Sequence, residues 1–142
     1  MKRLIGILLI DDNETSNFLN ERLLRRMDLT DHILVLNNGV MALEYLEKIS
    51  KQAEDMPGMD IKPELILLDI NMPVLDGFEF LELFHQFDSH FREGIHVAML
   101  STSSHPQDTG KARDYQAHYL TKPLTVEKMQ GLLALLNPAT KN

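Results

Sequence analysis

Five short apolar runs punctuate the chain, each closed by polar residues. The first, at 4–10, reads Leu-Ile-Gly-Ile-Leu-Leu-Ile and stops at Asp11-Asp12; the others lie at 33–36, 65–68, 95–100 and 117–120. The first, apolar almost throughout, reads as a strand buried on both faces, and the others read as further strands. Between them the apolar positions change to a helical period. Phe18, Leu19, Leu23, Leu24 and Met27 mark one face of a helix over 13–27, with Asn13 or Thr15 as its cap. After the turn Asn37-Asn38-Gly39, a second helix carries Ala42, Leu43, Leu46 and Ile49. A third, over 77–87, turns Phe80, Leu81, Phe84 and Phe87 inward, with Asp76 as N-cap and Glu79 completing a box-like pattern. Residues 89–94 read as a loop. The stretch 105–116 has helical polarity but few apolar anchors and contains Gly110, so it is expected to be the most loosely held helix. Val126, Met129, Leu132, Leu133 and Leu136 mark the last helix, before a short polar tail. The polar segment 50–63, with Pro57, Gly58 and Pro63, is long for a connection. It is expected to extend the second helix in part and to form a surface loop for the rest.

Five strands alternating with five helices predict an α/β domain over residues 1–142, with a parallel sheet covered on both faces. Ligands of such sheets bind outside the carboxyl ends of the strands. Composition narrows the function. A formal net charge of -7 and the lack of a basic run make nucleic acid a poor direct partner. The chain has no cysteine, which excludes disulfides and thiolate metal sites and points to a reducing, cytoplasmic setting. Met1-Lys2-Arg3 precedes an apolar run that ends in Asp11-Asp12 without a small-residue cleavage site, so it reads as a strand and not as a leader. No stretch approaches the roughly 20 apolar residues that cross a bilayer.

If the strands are parallel, Asp11, Asp12, Asp69, Ser101 and Lys122 collect at one edge of the sheet. A carboxylate such as Asp69 can act as a nucleophile and carry a phosphoryl group as an acyl phosphate. The obstacle is an anion attacking an anion. Mg²⁺, which favours hard oxygen ligands, removes it, and three carboxylates crowded without a cation would raise one another's pKa. Lys122 adds a point charge for a phosphoryl oxygen, and Ser101 a hydroxyl. Pro123 allows the bond after Lys122 to be cis at low cost, fixing a turn that aims the lysine. No glycine-rich phosphate loop is present. The six histidines, with no pair at i, i+4, suit surface or packing roles. Arg22, Arg25 and Arg26 form a solvated helix face.

The segments Leu9-Ile10-Asp11-Asp12-Asn13-Glu14, Leu67 to Gly77 (Leu-Leu-Asp-Ile-Asn-Met-Pro-Val-Leu-Asp-Gly), Met99-Leu100-Ser101 and Tyr119-Leu120-Thr121-Lys122-Pro123 carry a resemblance over nearly the whole chain. It resembles a response-regulator receiver domain, the phosphoacceptor half of two-component signalling. The resemblance implies a flavodoxin-like strand order, 2-1-3-4-5. It implies that Asp69 is phosphorylated and that Asp12 binds Mg²⁺ directly. Asp11 would act largely through water, and the Asn71 backbone carbonyl would complete the ligands. Lys122 would pair with the phosphoryl group, Ser101 would be the switch hydroxyl, and Tyr119 the aromatic that turns inward when it moves. The surface of the fourth helix, fifth strand and fifth helix would then shift. The implied partners are a histidine kinase or histidine phosphotransfer protein, which the arginine face could dock, and a downstream protein; a homodimer through the fourth-helix surface is also open. Two departures stand out: receivers often carry Thr at Ser101, and many carry a small residue at Thr102. Thr102 as the switch, by a shift of one residue, is the alternative placement.

The expectation is thus a stand-alone receiver that is autocatalytic in phosphotransfer and slow hydrolysis but has no turnover substrate. Two other readings remain. A Mg²⁺-dependent aspartyl-phosphate phosphatase usually places a second Asp two positions after the nucleophile, where this chain has Asn71. A pseudo-receiver would bind partners without phosphorylation, against which the complete acidic set and Lys122 argue.

Overall fold

A computed structural model describes residues 3–52 and 61–136. Strands β1 (Ile7–Ile10), β2 (Ile33–Leu36), β3 (Leu65–Asp69), β4 (His96–Ser101) and β5 (His118–Thr121) are all parallel and lie in the order β2-β1-β3-β4-β5. This is the flavodoxin-like order the resemblance implied. The register lines up the carboxyl ends. Ile10 pairs with Leu68, so Asp11 and Asp69 emerge on adjacent strands, and Ser101 pairs with Thr121, one residue before Lys122.

Alternation along the strands sorts the core into two layers. Leu8, Ile10, Ile66, Leu68, Val97 and Met99 share one cluster with Ala42 and Leu46 of α2 (Gly39–Ser50), Phe80, Leu81 and Phe84 of α3 (Gly77–Phe84), and Ala112 of α5 (Pro106–Asp114). Ile7, Leu9, Leu65, Leu67, Ala98 and Leu100 share the other with Leu24 of α1 (Glu14–Met27) and Met129, Leu132 and Leu133 of α6 (Val126–Leu136). Asn13 caps α1 by accepting from the Ser16 N–H, and the Asp76–Glu79 capping box that starts α3 is complete. No described helix is long and apolar enough to cross a membrane.

The structure corrects four expectations. There are six described helices, not five, because residues expected as a loop form α4 (Ser89–Arg92), started by the Asp88 side chain. One turn is too short to show a period. The third helix stops at Phe84, where His85 takes the C-cap, although Phe87 still packs against the core. On α1 the expected inward face holds at Leu24 and Met27 but fails in the first turns. Phe18 and Leu19 are 63% and 55% exposed, while Asn17 and Leu24 are buried. The first turns of α1 stand beside the polar sheet edge and not over the apolar strands, so the inward position there is taken by an amide. Finally, α2 ends at Ser50, and most of the segment that was to extend it, residues 53–60, lies outside the described residues.

Helix α5 is anchored as sparsely as its sequence suggests. Ala112 is its only buried residue; Lys111 lies over the Phe78 ring at 4.6 Å, and His85 Nε2 is 3.0 Å from the Tyr115 carbonyl at its C-cap. Polar tethers, not apolar area, hold it to α3.

Gly77 governs how closely α3 approaches β3. Its N–H donates to the Ile70 carbonyl at 2.8 Å, and a Cβ here would sit 2.8 Å from both the Asp69 carbonyl oxygen and Ile70 Cα. Both are backbone atoms and cannot swing aside. Gly77→Ala is expected to cost about 1–3 kcal/mol, as overpacking does, and to displace Asp69. Chemical denaturation, with amide shifts at 69–71, checks both.

Candidate functional site

The site is assembled from loops that leave the sheet at its carboxyl edge. Asp11, the first residue after β1, is fully buried. Its N–H donates to the Leu36 carbonyl at 3.3 Å, its carbonyl accepts the Asn17 side-chain amide at 2.7 Å, and its Oδ1 accepts the Asn13 N–H at 2.9 Å. Asp12, the next residue, is exposed. Asp69 ends β3 and is only 4% exposed. Carboxylate oxygens of Asp11, Asp12 and Asp69 lie within 4.8 Å of one another.

Lys122 reaches this cluster from the loop after β5. Its Nζ is 2.9 Å from Asp69 Oδ1 and 3.3 Å from Asp11 Oδ2. Its N–H donates to the Ser101 carbonyl at 2.7 Å, which ties it to the end of β4, and the Lys122–Pro123 bond is cis. One ammonium faces three carboxylates, which leaves two negative charges uncompensated. Burial, and then the charges of Asp11 and Asp12, raise the Asp69 carboxyl above its ordinary range despite the bond from Lys122. For Lys122, burial works to lower the ammonium, but the bond to Asp69 and the charge of Asp11 outweigh it and hold it above the usual lysine value. A hard divalent cation fits this set. The donors are all carboxylate oxygens, the uncompensated charge matches it, and Asp12 opens the cluster to water.

Ser101 is the last residue of β4, not the first after it, and is buried. Its hydroxyl accepts the Ser103 N–H at 3.0 Å, and the Tyr119 hydroxyl donates to the Ser103 carbonyl. Ser101 and Tyr119 therefore meet the two ends of a single residue, and no described hydrogen bond joins the Ser101 hydroxyl to Asp69 or to the Lys122 ammonium. Thr102 is exposed. Asn71 is exposed two residues beyond Asp69, in a loop that turns tightly at Val74, where φ is 69° and the Leu75 N–H donates to the Pro73 carbonyl at 2.7 Å.

Two residues belong to this arrangement without having been expected in it. Ser103 acts through backbone atoms, which leave no trace in a sequence. Asn17 did leave one: it lies seven positions before Leu24 and so shares its helix face, a polar residue on an otherwise buried stripe.

Comparison with known proteins agrees with this geometry. The response regulator receiver domain family matches residues 7–134. A probable methanogenesis regulatory protein, FilR2, from Methanothrix harundinacea is 33% identical over 127 residues, covering 87% of this chain and 76% of its own length. A two-component response regulator from Cytophaga hutchinsonii superposes with a TM-score of 0.83 at 29% identity, over 96% of this chain and 99% of that one. The receiver domain of the Arabidopsis thaliana histidine kinase CKI1, solved in complex with Mg²⁺ and BeF₃⁻, superposes with a TM-score of 0.80 over 94% of this chain and 90% of its own. At 17% identity that likeness speaks to the fold alone. With the family matched over most of its length, the chain belongs to the response regulator receiver domains of two-component signalling.

Proposed function

We propose that the protein is a phosphorylation-controlled switch in which Asp69 accepts a phosphoryl group from a phosphohistidine on a histidine kinase or histidine phosphotransfer protein. The observation that carries this reading is the buried Asp69 carboxylate, flanked by two further carboxylates and bonded by Lys122 at 2.9 Å. In the step itself, an Asp69 carboxylate oxygen attacks phosphorus. An O–P bond forms, the P–N bond to the donor imidazole breaks, and its electron pair returns to the ring nitrogen, which takes up a proton. Asp12, Asp69 and the Asn71 carbonyl would hold Mg²⁺, with Asp11 acting through water. The bound ion would offset the charge of the approaching anion. Lys122 stays beside Asp69 and pairs with a phosphoryl oxygen.

Because Ser101 and Tyr119 both engage Ser103, the response has a physical route. Drawing the Ser101 hydroxyl onto the phosphoryl group removes the acceptor of the Ser103 N–H and frees the carbonyl at its other end from its present place. Tyr119 then resettles, and α5, tethered by few contacts, shifts with it. Phosphorylation thus selects between two arrangements of the α5, β5 and α6 surface. The upstream partner has a surface to meet: Phe18 and Leu19 are exposed on α1, with Arg22 and Arg26 beside them, close behind the acidic pair. The chemistry ends on the protein itself, so no turnover substrate is involved. Asn71, where an aspartyl-phosphate phosphatase carries its acid, offers an amide that cannot supply that proton.

Intact mass after incubation with a small acyl-phosphate donor and Mg²⁺ tests the acceptor. One added phosphoryl group is expected, lost in Asp69→Asn and with a chelator. An adduct that survives in Asp69→Asn would place the acceptor elsewhere. Ser101→Ala is expected to leave Mg²⁺ binding nearly intact while the Tyr119 ring resonances no longer respond to phosphorylation. A full response in that variant would break the proposed relay.

The raised Asp69 carboxyl also sets a stability trend. A group whose folded value lies above its unfolded one favours folding when protonated, and that contribution is lost as pH rises through the folded value. At neutral pH without metal, Asp69→Asn should therefore raise the melting midpoint. The gap should close as pH falls into the carboxylate range, and saturating Mg²⁺ should reverse it. Thermal scans at several pH values, with and without Mg²⁺, check all three.

A further inference from the structure

The side chain of Asn17 is buried, yet its Oδ1 has no hydrogen-bond partner in the structure. Native proteins leave few buried polar atoms unpaired. In the helix interior, asparagine is also a weaker helix former than leucine. Packing alone would favour an apolar residue of similar size, such as the Leu24 that shares its face. What asparagine supplies here is the other half of its amide, which donates to the Asp11 carbonyl at 2.7 Å.

That carbonyl belongs to the peptide joining Asp11 to Asp12. Its orientation sets ψ of Asp11 and φ of Asp12, and hence the direction in which the Asp12 side chain leaves the backbone. Asp11 has other restraints: its carboxylate is held by Lys122 and the Asn13 N–H, and its own N–H by Leu36. The Asp12 carboxylate is exposed and takes no hydrogen bond among the described residues. Its place beside Asp69 depends on the backbone that Asn17 clamps.

We propose that Asn17 is a positioning residue for the acidic site: its buried amide locks the Asp11–Asp12 peptide so that the Asp12 carboxylate faces Asp69, and it thereby sets the affinity for a divalent cation. The inference rests on the reading of the acidic cluster as a Mg²⁺ seat. Asn17 itself touches neither the cation nor the phosphoryl group.

The test is a Mg²⁺ titration of the full chain followed by amide shifts at Asp12 and Asn71, with metal-free melting measured alongside. Asn17→Leu keeps the branched shape and removes the donor, Asn17→Ala removes both, and Leu24→Ala perturbs the same helix through the core alone. Both Asn17 variants are expected to bind Mg²⁺ about tenfold more weakly, the lower end of what residues behind metal ligands contribute. Leu24→Ala should lower the melting midpoint and leave the affinity unchanged. With an acyl-phosphate donor, the Mg²⁺ concentration for half-maximal phosphorylation should rise by the same factor in Asn17→Leu, while the rate at saturating Mg²⁺ holds. The wild-type protein gives an independent reading: the Asn17 side-chain amide resonances should shift with the same midpoint as Asp12. An affinity within about twofold of wild type in either folded Asn17 variant would overturn the proposal, since outer residues that matter move it further. So would a loss in Leu24→Ala of equal size, or side-chain resonances that ignore Mg²⁺. Failure of the wild type to bind Mg²⁺ would instead remove the phosphoacceptor reading on which the inference stands.

Discussion

Like charge held at close range is the constraint around which this molecule is built. Three carboxylates with oxygens within 4.8 Å repel one another, and two of them are buried, where water screens little. One ammonium bridges those two and cannot balance all three. Such an arrangement persists only if each carboxylate leaves a rigid piece of backbone. The sheet supplies that rigidity. β1 and β3, its second and third strands in spatial order, are buried throughout on both faces, and their register sets Asp11 and Asp69 side by side. The apolar core thus does more than stabilise the domain; it opposes the separation that the charges favour.

The loops extend the same restraint beyond the strands. Asn13 bonds the Asp11 carboxylate through its N–H and caps α1 with its side chain, so one residue joins the acidic turn to the helix start. Gly77 lets α3 lie directly on the Asp69–Ile70 peptide. Lys122 is tied through its own N–H to the end of β4. The side chains are therefore aimed mostly by hydrogen bonds to main-chain atoms, whose positions the fold determines. A site held in this way would, in the proposed function, take a cation or a phosphoryl group with little rearrangement of the edge itself.

Much of this was legible in the sequence, for reasons that are physical. Strands buried on both faces must be apolar throughout, so runs such as Leu65-Ile66-Leu67-Leu68 announce themselves, and the residue that ends each run marks the sheet edge. Asp11 and Asp69 were readable because each follows such a run, and Lys122 because it follows the shorter, half-buried fifth strand. Phe18 and Leu19 misled because a helical period reveals a face but not what that face meets; tertiary neighbours turned an amide inward instead. Helix α4 is a single turn and has no period to read. The junction at Ser103 is made by a main-chain N–H and C=O, which every residue but proline carries and no sequence singles out.

The contrast between the two ends of the site shows how a rigid edge would still transmit the proposed signal. Asp11, Asp69 and their strands lie in the dry core, and moving them would open it. The β4–α5 connection and α5 have no comparable burial: their ties are a hydroxyl on the Ser103 N–H, a phenol on its carbonyl, a lysine over the Phe78 ring and a histidine at the Tyr115 carbonyl. Each such contact is worth little net, because water offers a replacement when it breaks. In the proposed switch, two arrangements of α5 would therefore lie close in free energy, and a new charge-assisted bond at Ser101 would need to supply only that small difference. The hydrophobic effect fixes where the phosphoryl group would be received, and the shortage of hydrophobic contacts on α5 fixes where its arrival would be felt.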